Sequence, residues 1–195
     1  MSESLPHAQP SSPQNASLLW TFFHSHKVGL LTLLILLYGL LYLFAWRDMR
    51  FFLVPSSSME PALLRGDYIL TLNHSPYQRG DIVVIIDAQS GEYLVKRIAG
   101  LPGDRVTVQG GALFLNGKYV SEPYIAEPMK YEITDPVTVP ANQVFLLGDN
   151  RNNSDDSHVN RQCDPISKIV GKVQFIYYPY TRFGFVYSYP LSGAQ

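Results

Sequence analysis

Leu113-Phe114-Leu115-Asn116-Gly117-Lys118-Tyr119-Val120 reads as two short strands closed by a two-residue turn. Asn-Gly is the dipeptide that most readily takes two successive positive φ values, so the stretch predicts a tight hairpin with a type I′ turn. Similar short apolar runs lie on both sides, split by Gly, Pro and Asn. They predict strands at Tyr68–Leu72, Ile82–Ile86, Tyr93–Ala99, Arg105–Gln109, Ala112–Leu115, Lys118–Val120, Val144–Leu147 and Ile169–Tyr178. Beyond Phe51 there is no sustained amphipathic helical pattern and no internal repeat. The expected fold is therefore mainly β: an antiparallel domain over residues 51–195, with a small β subdomain inserted at 109–140.

Upstream, the grammar changes. Nineteen residues from Val28 to Trp46 pass without a charge. At about 1.5 Å rise per residue a helix of that length covers roughly 28 Å, close to the hydrocarbon thickness of a bilayer. No small-x-small processing site follows, since Trp46, Arg47, Asp48 and Met49 come next, and no polar face interrupts the run. The segment is expected to be one permanent transmembrane anchor, with the lipid bilayer as a partner. Residues 1–27, rich at first in Ser, Pro, Gln and Asn, are expected to form a mobile tail. Counting Lys27 before the span against Arg47 and Arg50 after it points the large domain toward the cytoplasm.

The whole chain of 195 residues carries 15 basic and 16 acidic side chains, a formal charge of −1. That balance gives no basic surface for nucleic acid. Cys163 is the single cysteine, so no intrachain disulfide forms, and nothing beside it has the pattern of a thiol protease.

Three segments hold residues able to do chemistry. Val54-Pro55-Ser56-Ser57-Ser58-Met59-Glu60-Pro61 clusters hydroxyls beside prolines, which in isolation also describes a polar turn. Tyr93-Leu94-Val95-Lys96-Arg97 puts a lysine in an apolar strand, where burial would drive its proton off, or where alternation would turn it to solvent. Gly148-Asp149-Asn150-Arg151 followed by Ser154, Asp156 and Ser157 is an Asx-rich loop without the Gly and terminal Glu of a calcium-binding hand. Gly100 to Asp104 lacks the Gly-Lys-Ser/Thr ending of a phosphate loop and reads as a turn. A serine hydroxyl attacks only as a base removes its proton. The five histidines are poorly distributed for that task, three lying at or before the anchor and His74 and His158 in polar loops. A lysine can substitute if neutral, because an ammonium has no lone pair.

Together these segments resemble the type I signal peptidase family, peptidases with a Ser/Lys dyad. The likeness runs from the anchor to about residue 175. It rests on Pro55-Ser56-x-Ser58-Met59-x-Pro61, then Arg79-Gly80-Asp81-Ile82-Val83, then Lys96-Arg97 with Gly100-Leu101-Pro102-Gly103-Asp104, then Gly148-Asp149-Asn150-Arg151 with Ser154-x-Asp156-Ser157. The resemblance implies Ser58 as nucleophile and Lys96 as general base. It implies Ser56 as a side-chain donor to the oxyanion hole beside the Ser58 backbone N–H. Ser154 would orient the amine, and Asp156 would brace the loop. Phe52, Val54, Leu94 and Val95 would wall shallow pockets for the small residues of an Ala-x-Ala site in preprotein signal peptides. The family's activity requires the domain on the extracytoplasmic side of the cell membrane, against the charge count. No metal or organic cofactor is implied. Two positions depart from the pattern: Ala62 where the family usually has Thr, and His158 where many members have Arg. Competing readings are a Ser/Lys processing peptidase of a conjugation system, a self-cleaving repressor, for which the N-terminus is too short, and a membrane-tethered β-domain that binds without catalysis. The aromatic tail from Tyr177 to Tyr189 is read either as a headgroup anchor or as an edge strand.

Overall fold

A computed structural model describes residues 14–73, 76–87 and 90–191, without the side chains of 14–26 and 44–47. Most of the expected mobile tail's first half, residues 1–13, and His74 lie outside the described residues. The chain divides into two compact units, Met1–Arg47 and Asp48–Gln195.

The first unit contains helix α1, Gln14–Arg47. It starts well before the Val28 boundary drawn from charge, because Ala16, Leu18, Leu19 and Trp20 are compatible with continuing a helix even where polar residues interrupt the apolar run. Every Leu, Ile and Val from Val28 to Leu43 is 52–68% exposed. The Thr32 hydroxyl in that stretch donates back to the Val28 carbonyl at 2.9 Å. Among the described residues no helix is long and apolar enough to cross a membrane.

The second unit is built from antiparallel strands in two sheets. Its elements in chain order are β1 (Met49–Leu53), β2 (Tyr68–Leu72), β3 (Ile82–Ile86), β4 (Tyr93–Gly100), β5 (Arg105–Gln109), β6 (Ala112–Leu115), β7 (Lys118–Tyr119), β8 (Ile133–Thr138), β9 (Gln143–Leu147), the one-turn helix α2 (Ser157–Asn160), β10 (Asp164–Pro165), β11 (Ile169–Tyr178) and β12 (Gly184–Phe185). The larger sheet runs β1-β2-β11-β3-β4-β9-β10 with β12 added to β11, and the smaller runs β7-β6-β5-β8. The Asn-Gly turn has φ of 55° at Asn116 and 80° at Gly117, as a type I′ turn demands.

Alternation explains the packing. In β3, Ile82 and Val84 enter one apolar cluster with Val54, Met59, Leu63, Ile69 and Val95. Val83 and Ile85 enter another with Ile98, Val144 and Leu146. Both faces of the sheet are therefore covered, which is why β4 is buried without a break from Val95 to Gly100.

Besides the two-residue β10, two strands escape a reading of sequence pattern. β8 contains Pro136, which normally argues against a strand, but it sits at the edge of the smaller sheet where a missing N–H costs no ladder bond. β1 is likewise an edge strand, with Arg50 exposed. The smaller sheet begins at Arg105 rather than Gln109. It shares its core with the larger one, since Val106, Leu113 and Leu115 pack with Ala99, Phe145 and Leu147.

The C-terminal aromatic segment is split between two fates. Gly184–Phe185 pairs with β11, as an edge strand. Tyr180, Phe183, Phe185 and Tyr187 remain 61–82% exposed. Farther on, the chain crosses Gly80, where an added Cβ would come within 1.7 Å of the Tyr189 carbonyl oxygen.

Candidate active site

After β1 the backbone turns sharply, and Val54 N–H donates to the Asp67 carbonyl at 2.8 Å. The serine turn follows. Met59 and Leu63 behind it are fully buried, a burial that contributes on the order of 1.5–3 kcal/mol for each side chain. That apolar footing holds the preceding hydroxyls at the rim, where Ser56 Oγ and Ser58 Oγ lie 3.2 Å apart. The loop after β9 grips the same turn. Asn150 N–H donates to Ser58 O at 3.0 Å, and the side chains of Asn150 and Asn153 donate to Ser57 O and Ser57 Oγ at 3.2 and 3.1 Å.

Lys96 lies in β4 opposite Val83 of β3. Only 4% of it is exposed. Burial lowers its pKa below the ordinary lysine value, and the Asp156 and Asp155 carboxylates partly oppose the effect. Its Nζ donates to Ser154 Oγ at 2.8 Å. Ser154 in turn hydrogen-bonds Asp156, which leaves its oxygen lone pairs for the amine. Asp156 also accepts from Gly148 N–H at 2.8 Å and pairs with His158 Nδ1 at 2.7 Å. Burial pushes the Asp156 carboxyl up, but the hydrogen bonds from His158, Ser154 and Gly148 and the charge of Lys96 bring it below its usual range.

Gly148 is the pivot of the arrangement. A Cβ there would lie 2.3 Å from Ser154 Oγ and 2.5 Å from Ser58 O. The absence of a side chain therefore allows the serine turn and the lysine's partner to close on the same backbone position.

A cleft of about 260 Å³ connects these groups; Val54, Ser56, Ser58, Leu94, Val95 and Lys96 all line it, with Tyr93, Asn153 and Asp155 at its walls. Seven of the nine residues singled out from sequence therefore meet at the cleft or in its first layer of hydrogen bonds, counting Ser154 with the six that line it. Asp156 stands one bond further back, and it lines a neighbouring cleft of about 350 Å³ with Leu94 and Lys96. Phe52 does not line the 260 Å³ cleft; its ring packs on that of Tyr93 at 5.0 Å between centroids. Sequence reasoning missed Tyr93, Asn153, Asp155 and the role of Gly148. A Gly-Asp-Asn run carries no local sign that a residue some 90 positions upstream will rest on it.

The remaining candidates are placed elsewhere. Cys163 is half-buried against the smaller sheet's core, and burial pushes its thiol up to about 11, so it is no thiolate at neutral pH. Ala62 is partly buried, and its carbonyl accepts from Arg182 at 3.1 Å. Among the described residues no group of three or more His, Cys, Asp or Glu is placed to hold a metal ion.

The chain's likeness to known proteins covers the same region. The profile of a family described as "Signal peptidase, peptidase S26" matches residues 26–178. A probable signal peptidase I-1 of Synechocystis sp. is 36% identical over 85% of this chain and 87% of that protein. A probable signal peptidase I-2 of the same organism is 43% identical over 67% of this chain and 64% of its own length. Signal peptidase I of Bacillus licheniformis is 36% identical over 67% of this chain and 77% of its own.

Proposed function

The chain belongs to the signal peptidase family, peptidase S26, and is a serine peptidase; on that premise we propose that it removes signal peptides from exported preproteins with a Ser58/Lys96 dyad. The observation that carries the dyad is the 2.8 Å bond from Lys96 Nζ to Ser154 Oγ, in a cleft that Ser58 also lines.

The chemistry follows from those groups. A neutral Lys96 has one lone pair and two N–H bonds. Ser154 accepts one N–H and so orients the amine, leaving the lone pair to take the Ser58 proton as Oγ attacks the scissile carbonyl carbon. The carbonyl oxygen becomes an oxyanion, stabilised by the Ser56 hydroxyl and the Ser58 backbone N–H. Losing one such donor costs on the order of 10²–10³ in rate. The Lys96 ammonium then gives its proton to the leaving amine, and the C–N bond breaks. In the second half the regenerated amine takes a proton from water, which attacks the acyl carbonyl carbon; the ester C–O bond then breaks as the Lys96 ammonium returns that proton to Ser58 Oγ.

Val54, Leu94 and Val95 make the cleft walls apolar, and Tyr93, backed by the Phe52 ring, lines it beside them, a lining proposed to suit the small side chains of an Ala-x-Ala site. The uncharged run Val28–Trp46 within α1, which continues in sequence past the described side chains at Leu43, is proposed as the membrane anchor, with the catalytic domain on the extracytoplasmic side. Its encircling exposed Leu side chains match a lipid environment better than an aqueous one.

The test is cleavage of a fluorogenic Ala-x-Ala peptide across pH. At low pH Lys96 is an ammonium and cannot accept a proton, so kcat/KM rises with pH as the amine is freed. Because burial lowers the proton affinity of Lys96, the rise is complete below the ordinary lysine value of 10.5. A rate that stays flat from acid to alkaline pH excludes a lysine base. Gly148→Ala places a methyl group where Ser154 and Ser58 now meet. It is expected to lower kcat/KM by about 10²-fold or more, since ångström-scale misplacement of catalytic groups costs that much. Wild-type rates in this variant would remove Gly148 from the account.

A further inference from the structure

His158 is the outermost member of a continuous chain of side chains: His158 Nδ1 to Asp156 at 2.7 Å, Asp156 to Ser154, and Ser154 Oγ to Lys96 Nζ at 2.8 Å. Its ring lies flat on Tyr131, with centroids 4.0 Å apart and planes 15° from parallel. The stack and the hydrogen bond fix the imidazole against one carboxylate oxygen, while the other oxygen holds Gly148 N–H. The backbone role of position 158 is separate, since its N–H donates to Asp156 as the cap of α2 whatever side chain follows.

We propose that His158 is a positioning residue that tunes the proton affinity of Lys96 through the Asp156 carboxylate. A guanidinium is a permanent cation, whereas an amide side chain carries no charge. With no charge at position 158, the full negative charge of Asp156 acts on Lys96 and holds its proton. A permanent cation at 158 would offset that charge and release the proton at lower pH. The other charges facing these groups do not vary with the ring. Asp155 faces Lys96 from the same loop. Behind Tyr131, Arg151 and Glu122 form a buried ion pair with Arg151 Nη1 2.6 Å from Glu122 Oε2. The inference rests on Lys96 being the general base.

The experiment compares kcat/KM against pH for the full chain in detergent, as wild type, His158→Arg and His158→Gln. The acid limb of His158→Arg is expected to lie roughly 0.5–1 pH unit below that of His158→Gln, the size expected for one charge acting through a partly screened site. Rates on the limb are then about 3–10-fold higher in His158→Arg. Superimposable profiles in the two variants overturn the inference. Lys96→Met separates this failure from that of the dyad itself: if it retains activity, the general-base assignment falls; if it is inactive while the limbs coincide, only the coupling falls. Should His158→Arg fail to fold, His158→Lys takes its place: its acid limb is expected below that of His158→Gln by a similar amount, and coincident limbs overturn the proposal.

Discussion

Ser58→Ala and Lys96→Ala are each expected to lower kcat/KM on an Ala-x-Ala substrate by at least about 10⁴-fold, to a common floor. A nucleophile and its base act as a unit, so removing both should cost little more than removing either. Residual activity well above the floor in one single variant would detach that residue from the dyad. Stability supplies the control against misfolding, and it has a definite sign. The Lys96 amine is almost wholly buried and donates to a neutral hydroxyl, so its charged form is penalised in the folded state. Between its lowered folded value and the ordinary 10.5, the unfolded chain binds more protons than the folded one. Stability therefore rises with pH across that window and carries the full penalty below it. Lys96→Met fills the same space without the charge. It should be inactive yet melt higher, by about 2–4 °C for each kcal/mol recovered, with the gain largest at low pH and fading toward alkaline pH. An inactive variant that also melts lower would mean that the amine is a structural asset, and would weaken the case for a strained catalytic base.

Asp149→Ala is expected to destabilise the catalytic domain by about 3–5 kcal/mol, the usual cost of leaving a buried charge without its partner. Arg97 and Asp149 are both about 1% exposed. They form a bidentate pair with N···O distances of 2.7 and 2.6 Å, and a third nitrogen of Arg97 donates to the Gly80 carbonyl at 2.6 Å. The guanidinium carbon also sits 3.9 Å from the centroid of the Tyr124 ring. Tyr124 OH donates to Glu122 at 2.6 Å, joining this pair to the second buried pair of Glu122 with Arg151. Burial and the neighbouring Glu122 carboxylate push the Tyr124 phenol well above its ordinary value, so it stays a donor. Arg97 belongs to β4 beside the lysine, and Asp149 follows Gly148. The pair thus clamps the two segments that carry Lys96 and the Ser154 loop. Urea unfolding with an unchanged m value is the measurement. The combined variant Arg97→Met with Asp149→Leu should be more stable than Asp149→Ala alone, because it removes both charges together. A loss under 1 kcal/mol in Asp149→Ala would show that water reaches Arg97.

The motif blocks look alike in sequence and separate sharply in the folded chain. Arg79 forms a bidentate pair with Asp104 at 2.7 Å, joining the second block to the end of the third. Asp81 pairs with Lys172 at 2.6 Å, and Gly80 makes room for Tyr189. These residues build the scaffold around β4 and touch nothing in the cleft. Their neighbours Ser58, Lys96 and Ser154 line it or bond to its lysine. Nothing in a local window distinguishes the two groups, because each residue's partner lies tens of positions away.

Local chemistry was enough for the strands with alternating apolar residues, and for the Asn116-Gly117 turn, where two residues alone set the backbone. It was enough as well to place a lysine on an apolar strand. It could not say whether Lys96 met solvent, since that depends on the cover given to both faces of β4. Nor could it reveal β8 and β1, whose weak patterns survive because edge strands need only one neighbour. The meeting of Ser58 with Ser154 at Gly148 is likewise a property of the closed fold. Backbone preferences act within a few residues, whereas desolvation, ion pairing and cleft shape are set by what packs across space, and that exists only once the sheets are assembled.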